Sequence, residues 1–119
     1  GAPEFYTHGA KLMTVDGEGA KLTVEGIDAY LSGIRNDVHR VQPHAISITN
    51  ATEWGTVHDA ASVAALAGVA REAGMAVHID GARFANAVAA TGAAPAELSE
   101  LRALVATTHP PTVYRPRSA

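Results

Sequence analysis

The spacing of apolar and polar positions along the chain predicts alternating helices and strands. A β-branched run at 44–49 and an apolar run at 75–79 are typical of short strands. Between them, residues 60–74 carry apolar side chains at helical spacing, with Asp59 as a candidate N-cap and Gly74 as a stop signal. The apolar positions of this helix are Val63, Leu66, Ala67 and Ala70. Strand, helix and strand in this order predict a βαβ unit, and therefore an α/β fold with parallel strands and crossover helices.

The segment before this unit gives weaker signals. Residues 10–15 are predicted to form a short strand, and the glycines of 16–20 predict a turn. Residues 22–34 are predicted to form a helix that Thr23 caps. One face of that helix would carry Ile27, Tyr30, Leu31 and Ile34.

The segment after the unit divides into helical and irregular parts. A helix is predicted over 82–92, with Gly92 at its end, and another over 95–106. Residues 107–119 contain three prolines and two arginines without an apolar period, so we expect a disordered tail.

Composition narrows the class of protein. The chain has 119 residues, 47% of them hydrophobic and 18% charged, which is typical of one small globular domain. A net charge of −3 gives no reason to expect a nucleic acid or membrane partner. There is no cysteine, which excludes thiolate chemistry and fits a cytoplasmic protein. None of the six histidines forms an i,i+4 helical pair, so we expect no metal site.

Most candidate functional residues lie near the end of the second predicted strand. Ligands of open α/β sheets bind outside the carboxyl ends of parallel strands, which is where Asp80 falls. Asp80 either caps the following helix or faces a cationic ligand group. Arg83 is either a solvated residue, a local ion-pair partner of Asp80, or a bidentate clamp for a carboxylate. For His78, a satisfied histidine in the core or behind the site is favoured over a catalyst. Trp54 is either a ring-stacking platform or an ordinary surface residue.

The run HIDGARFANA at 78–87 resembles the threonine aldolase and β-eliminating lyase family. Two further stretches fit that family in the same order, GAPEFYTHGAKLMTVDGEGAKLTVEGI and VHRVQPHAISITNATEWGTV, so the resemblance covers residues 1 to about 100. Within that family, the chain is similar to bacterial aldolases of low specificity that act on threonine or phenylserine. The resemblance implies that residues 1–106 are part of the large domain of a fold type I, aspartate aminotransferase-like enzyme that binds pyridoxal phosphate (PLP).

The implied reaction is cleavage of a β-hydroxy-α-amino acid to glycine and an aldehyde. A β-eliminating lyase of the same fold and a non-catalytic truncated remnant are the alternatives. The implied partners are a small amino acid substrate and, for the parent enzyme, further copies of itself in a dimer or tetramer.

The resemblance also implies roles for individual residues. Asp80 would pair with the pyridine nitrogen of PLP and keep it protonated, and Arg83 would contact the substrate carboxylate. His78, Asn50 and Thr52 would lie against the cofactor.

The family's pattern is incomplete in this chain. Its cofactor-binding lysine lies downstream of the position of Asp80, whereas Lys11 and Lys21 are the only lysines here and both lie upstream. We therefore expect that the chain alone is inactive and does not bind PLP covalently. The family pattern also stops after Leu101, so we expect an internal piece of the enzyme followed by an unrelated tail, as a truncated or frameshifted gene would produce.

Overall fold

A parallel βαβ unit organises the fold. A computed structural model describes residues 1–34, 37 and 39–95. Strand β1, Ala45–Thr49, pairs in parallel with strand β2, Ala76–Asp80, and helix α3, Ala60–Glu72, connects them. The predicted βαβ unit is confirmed, and Asp80 is the last residue of β2.

Helix α3 begins and packs as its sequence predicts. The Asp59 carboxylate accepts a 2.8 Å hydrogen bond from the Ser62 N–H, which satisfies one of the free donors of the first turn. The helix ends two residues earlier than predicted, at Glu72, and Gly74 adopts φ +70° in the turn that leads to β2. All four predicted apolar positions are buried: Val63, Leu66, Ala67 and Ala70.

A second helix completes the core on the same side of the sheet. Helix α2, Val24–Ser32, is capped by Thr23, whose hydroxyl oxygen accepts from the Gly26 N–H at 3.1 Å. It packs against α3 and buries Ile27. The buried cluster consists of Ile27, Ile46, Ile48, Leu66, Ala70 and Met75. The core therefore lies on one face of the sheet.

The opposite face of the sheet is polar and open. It carries alternate residues of both strands: Ala45, Ser47, Thr49, Ala76, His78 and Asp80. All except Thr49 are exposed, and Ser47 is in register with His78 as Thr49 is with Asp80. Parallel sheets are commonly covered on both faces, and the described residues cover only the other face.

The prediction of a strand over 10–15 is wrong. Leu12 and Met13 are 58% and 51% exposed, and β1 and β2 are the only strands in the described ranges. A strand needs a neighbouring backbone to satisfy its N–H and C=O groups, and apolar composition alone does not provide one. The predicted turn at 16–20 is present and contains a short 3₁₀ helix, Glu18–Ala20.

The two ends of the described chain are helical. Helix α1, Ala2–Tyr6, was not predicted, although a proline in its first turn is typical of a helix start. Helix α4, Phe84–Thr91, confirms the helix predicted over 82–92 and ends at Gly92 with φ +64°. Apart from Pro95, the helix predicted over 95–106 and the tail over 107–119 lie outside the described residues. Within those residues, no helix is both long and apolar enough to cross a bilayer.

The one-sided core makes a stability prediction. Leu66 is 1% exposed at the centre of the cluster, so Leu66→Ala should lower the free energy of unfolding by about 2–5 kcal/mol, because lost burial and a residual cavity add together. Leu12→Ala makes the same chemical change at a position that is 58% exposed, and it should cost much less. Urea unfolding followed by circular dichroism measures both. Equal losses in the two variants would mean that the core has been misplaced.

Candidate functional site

The carboxyl ends of the two strands form one edge. Thr49 is the register partner of Asp80, and the next residue, Asn50, donates its backbone N–H to the Asp80 carbonyl at 3.1 Å. Asn50 and Asp80 therefore share the same edge of the sheet, as the sequence predicts for parallel strands.

The Asp80 side chain is exposed and its orientation is fixed. Its Oδ1 accepts a 2.9 Å hydrogen bond from the Ala82 N–H, two residues along the chain. Helix α4 begins afterwards, with Arg83 as its N-cap and no side-chain capping bond. Asp80 is therefore not the cap of α4. Among the described residues Ala82 is the only donor to this carboxylate, so Oδ2 is available to another donor.

Asn50 is buried, and both ends of its amide are engaged. Its Nδ2 donates to the His58 carbonyl at 2.9 Å, and its Oδ1 accepts from the His58 N–H at 3.1 Å. The side chain is 5% exposed. These two bonds close the base of the loop formed by residues 50–58, called here the 50–58 loop.

A pair of threonines closes the same loop nearer its tip. The Thr52 N–H donates to the Thr56 carbonyl at 2.9 Å, and their hydroxyls lie 2.6 Å apart. Because the Thr56 hydroxyl donates its proton to the Gly19 carbonyl, the Thr52 hydroxyl is the donor within the pair. Thr52 is 3% exposed, so its polar atoms serve the loop. The tip beyond it is Glu53, Trp54 and Gly55.

Arg83 forms an ion pair with the tip of this loop. Its Nη2 lies 3.1 Å from Glu53 Oε1, and the two side chains are 40% and 77% exposed. The local partner considered from the sequence, Asp80, is not the observed one. Exposed pairs of this kind contribute about 0–1 kcal/mol, so the guanidinium is held weakly.

His78 lies on the open face of the sheet. Its Nδ1 is 2.9 Å from the Ser47 hydroxyl oxygen on the neighbouring strand. His78 is exposed, so the core position considered from the sequence is wrong, because alternate residues of β2 face away from the core. His78 and Asp80 are two residues apart on one strand, so they share this face.

His58, which directly precedes the N-cap of α3, is a buried titratable group. It is 2% exposed, and burial lowers the pKa of its imidazole. The positive charge of Lys21 lowers this pKa further, whereas the negative charge of Asp59 opposes the shift. The neutral ring is therefore the form that the fold favours. The described residues contain no group of three or more His, Asp or Glu side chains that could hold a metal ion.

Comparisons with known proteins identify the family of the chain. Residues 1–105 match the family model of the beta-eliminating lyases. The chain is 43% identical over 99 residues to the low specificity L-threonine aldolase of Pseudomonas sp. (strain NCIMB 10558), covering 83% of this chain and 28% of that protein. It is 44% identical over 100 residues to the low specificity L-threonine aldolase of Pseudomonas aeruginosa, with the same two coverages.

A solved structure supports the fold. The threonine aldolase of Leishmania major superposes with a TM-score of 0.74 at 27% sequence identity, covering 84% of this chain and 30% of that one. The parallel strands and their crossover helix are thus an α/β segment of a fold type I enzyme. The chain belongs to the beta-eliminating lyase family. It spans 28% of the length of the curated relatives it matches.

The buried imidazole makes the stability of the fold dependent on pH. Because the pKa of His58 is lower in the folded chain, the unfolded chain binds more protons once the pH falls below the ordinary histidine value of about 6.5. The free energy of unfolding should therefore decrease as the pH falls from 7 through 6, by at most about 1.4 kcal/mol per pH unit for one proton.

His58→Gln should remove most of this slope, whereas His44→Gln, at an exposed position, should retain it. Urea unfolding at several pH values between 5 and 7.5 measures the slope for each chain. An unchanged slope in His58→Gln would contradict the assignment.

Proposed function

We propose that this chain supplies part of the PLP site of an enzyme that cleaves β-hydroxy-α-amino acids, such as threonine or phenylserine, to glycine and an aldehyde. The observation that carries the proposal is the exposed Asp80 carboxylate at the carboxyl end of a parallel strand, held in place by the Ala82 N–H. The two aldolases that are 43% and 44% identical favour cleavage over β-elimination.

The Asp80 side chain fits the nitrogen end of PLP by its chemistry. One oxygen is oriented by the backbone, and the other can accept an N–H from a protonated pyridine ring. A nearby carboxylate favours the protonated form of such a nitrogen, because opposite charges attract. When bound, PLP supplies a ring that accepts the electrons released as a bond at the substrate α-carbon breaks. The role of Asp80 is to keep that ring electron-poor.

Arg83 is proposed to bind the substrate carboxylate. It follows Asp80 by three residues, and its side chain is 40% exposed, so a ligand can reach it. A guanidinium offers two parallel N–H donors that match the two oxygens of a carboxylate. This contact would fix the orientation of the amino acid relative to the ring.

Two of the three other predicted cofactor contacts, Asn50 and Thr52, are proposed to act mainly through the 50–58 loop, which their polar atoms close. The third, His78, lies on β2 and is hydrogen-bonded to Ser47. We assign positioning roles to Asn50 and Thr52, while direct contact with PLP stays a prediction for all three. For the complete enzyme, a cytoplasmic location and a dimer or tetramer also stay proposals.

Replacement of Asp80 tests the central assignment. A hybrid enzyme would carry this chain's family-matching residues in place of the aligned stretch of the Pseudomonas sp. aldolase, and it should release glycine from threonine. Asp80→Ala in the hybrid should lower kcat by about 10²–10³, the usual effect of removing one preorganised electrostatic group. Glycine release measured with saturating PLP gives kcat and KM separately.

The matched control is Asp28→Ala, which removes an exposed carboxylate from α2. Its kcat should equal that of the parent hybrid. A hybrid with Asp80→Ala that retains near-normal kcat would show that PLP does not depend on this carboxylate.

The positions of the lysines predict whether the isolated chain binds PLP covalently. Since Lys11 and Lys21 both precede β2, neither is at the position at which the family binds its cofactor. We therefore expect borohydride treatment of the 119-residue chain with equimolar PLP to fix no phosphopyridoxyl group selectively. Peptide mass spectrometry identifies the modified residue. Stoichiometric labelling of a single lysine would overturn this part of the proposal.

A further inference from the structure

The ion pair between Arg83 and Glu53 places a carboxylate on the group proposed to receive the substrate. The contact is 3.1 Å long and joins residues that are 30 positions apart in the chain. Glu53 Oε1 accepts from Arg83 Nη2, which is the kind of contact that a substrate carboxylate would make. The same donor cannot serve both carboxylates at full strength.

We propose that Glu53 is an internal competitor that occupies Arg83 until the carboxylate of the amino acid displaces it. The inference rests on the proposed function, since that function assigns the substrate carboxylate to Arg83. Glu53 would thus set the affinity of the site for amino acids without touching the atoms that react.

The pair is weak enough to be displaced. The Glu53 side chain is 77% exposed, so water solvates much of its charge in the paired state. Exposed ion pairs contribute at most about 1 kcal/mol, which corresponds to a two- to five-fold effect on the binding of a competing carboxylate. A buried pair would block the site, whereas this one only weakens binding.

The Glu53 side chain can leave Arg83 without breaking a hydrogen bond of the loop. Asn50 closes the base of the loop, and Thr52 closes the tip, where its carbonyl accepts from the Gly55 N–H at 3.0 Å. Glu53 lies within this turn, and the ion pair with Arg83 is the only polar contact of its side chain among the described residues. Displacement of Glu53 would therefore move this side chain and leave the loop and the edge of the sheet intact.

Trp54 makes this displacement observable. It is the only tryptophan in the sequence, it follows Glu53 directly, and it is 78% exposed. Release of Glu53 from Arg83 would change the surroundings of the indole, and fluorescence would report the change without any catalytic turnover.

The proposal also defines the ligand class. A ligand displaces Glu53 only if it offers Arg83 a negative charge, so amino acids with a free carboxylate should compete. Their esters lack that charge and should not.

The test is a titration of the full 119-residue chain with glycine, and with glycine methyl ester as the comparison that keeps the ammonium group but lacks the carboxylate. The NMR signal of the Arg83 side-chain N–H reports binding, and Trp54 fluorescence reports the tip. Glu53→Gln should bind glycine about two- to five-fold more tightly than the parent chain and show a smaller change in Trp54 fluorescence. Glu72→Gln removes the same charge at the end of α3, near the amino end of β2 and away from Asp80. It should leave both signals unchanged.

The outcomes separate the two proposals. Glycine binding that Arg83→Lys weakens, but that Glu53→Gln leaves unchanged or weakens, would overturn the competitor role and leave the function of Arg83 standing. If Glu53→Gln and Glu72→Gln increase the affinity for glycine equally, the cause is the change in net charge, and the competitor role of Glu53 is also overturned. If glycine does not perturb Arg83 in any of these chains, the substrate contact fails and the competitor role fails with it.

Discussion

The hydrogen bond from the Asn50 N–H to the Asp80 carbonyl is the contact on which the site depends. It extends the parallel ladder by one step beyond the register pair Thr49 and Asp80, so both strands end at the same place. The loops that leave the two strands consequently emerge side by side. Without this alignment, the exposed Asp80 carboxylate and the 50–58 loop would not share an edge.

The Asn50 side chain extends the same constraint into the loop. Its amide pairs with the backbone of His58 in both directions, much as a neighbouring strand would. One residue thus joins β2 through its main chain and the end of the loop through its side chain. The adjacent His58 ring is buried at this junction, which is why we expect its protonation to destabilise the fold.

Local sequence signals predicted the elements well because their physical causes are local. The caps Thr23 and Asp59 bond to residues three positions away, and the buried positions of α3 follow from helical spacing alone. The position of Asp80 followed from strand order, since a crossover helix makes the strands parallel. The fold class and its family were also accessible from the sequence, because the DGAR run stands in a recognisable order with other stretches.

Contacts between residues that are distant in the chain could not be predicted from the sequence. The strand predicted over 10–15 failed because an extended pattern does not specify a partner. No periodicity links Glu53 to Arg83, and the sequence suggested Asp80 as the neighbour of Arg83 only because it is near in the chain. The role of Asn50 was similarly hidden, since an asparagine after a strand is equally compatible with a turn, a ligand or a clamp.

The polar face of the sheet has a consequence for the behaviour of this chain at high concentration. A pair of short strands offers unsatisfied backbone groups along its outer edges, and such edges recruit other chains when their side chains are apolar and uncharged. Here two polar side chains of β2, His78 and Asp80, interrupt that pattern on the open face. Charge placed inside an otherwise aggregation-prone stretch opposes stacking into fibrils. The carboxylate proposed to hold a cofactor therefore also helps to keep the strand soluble.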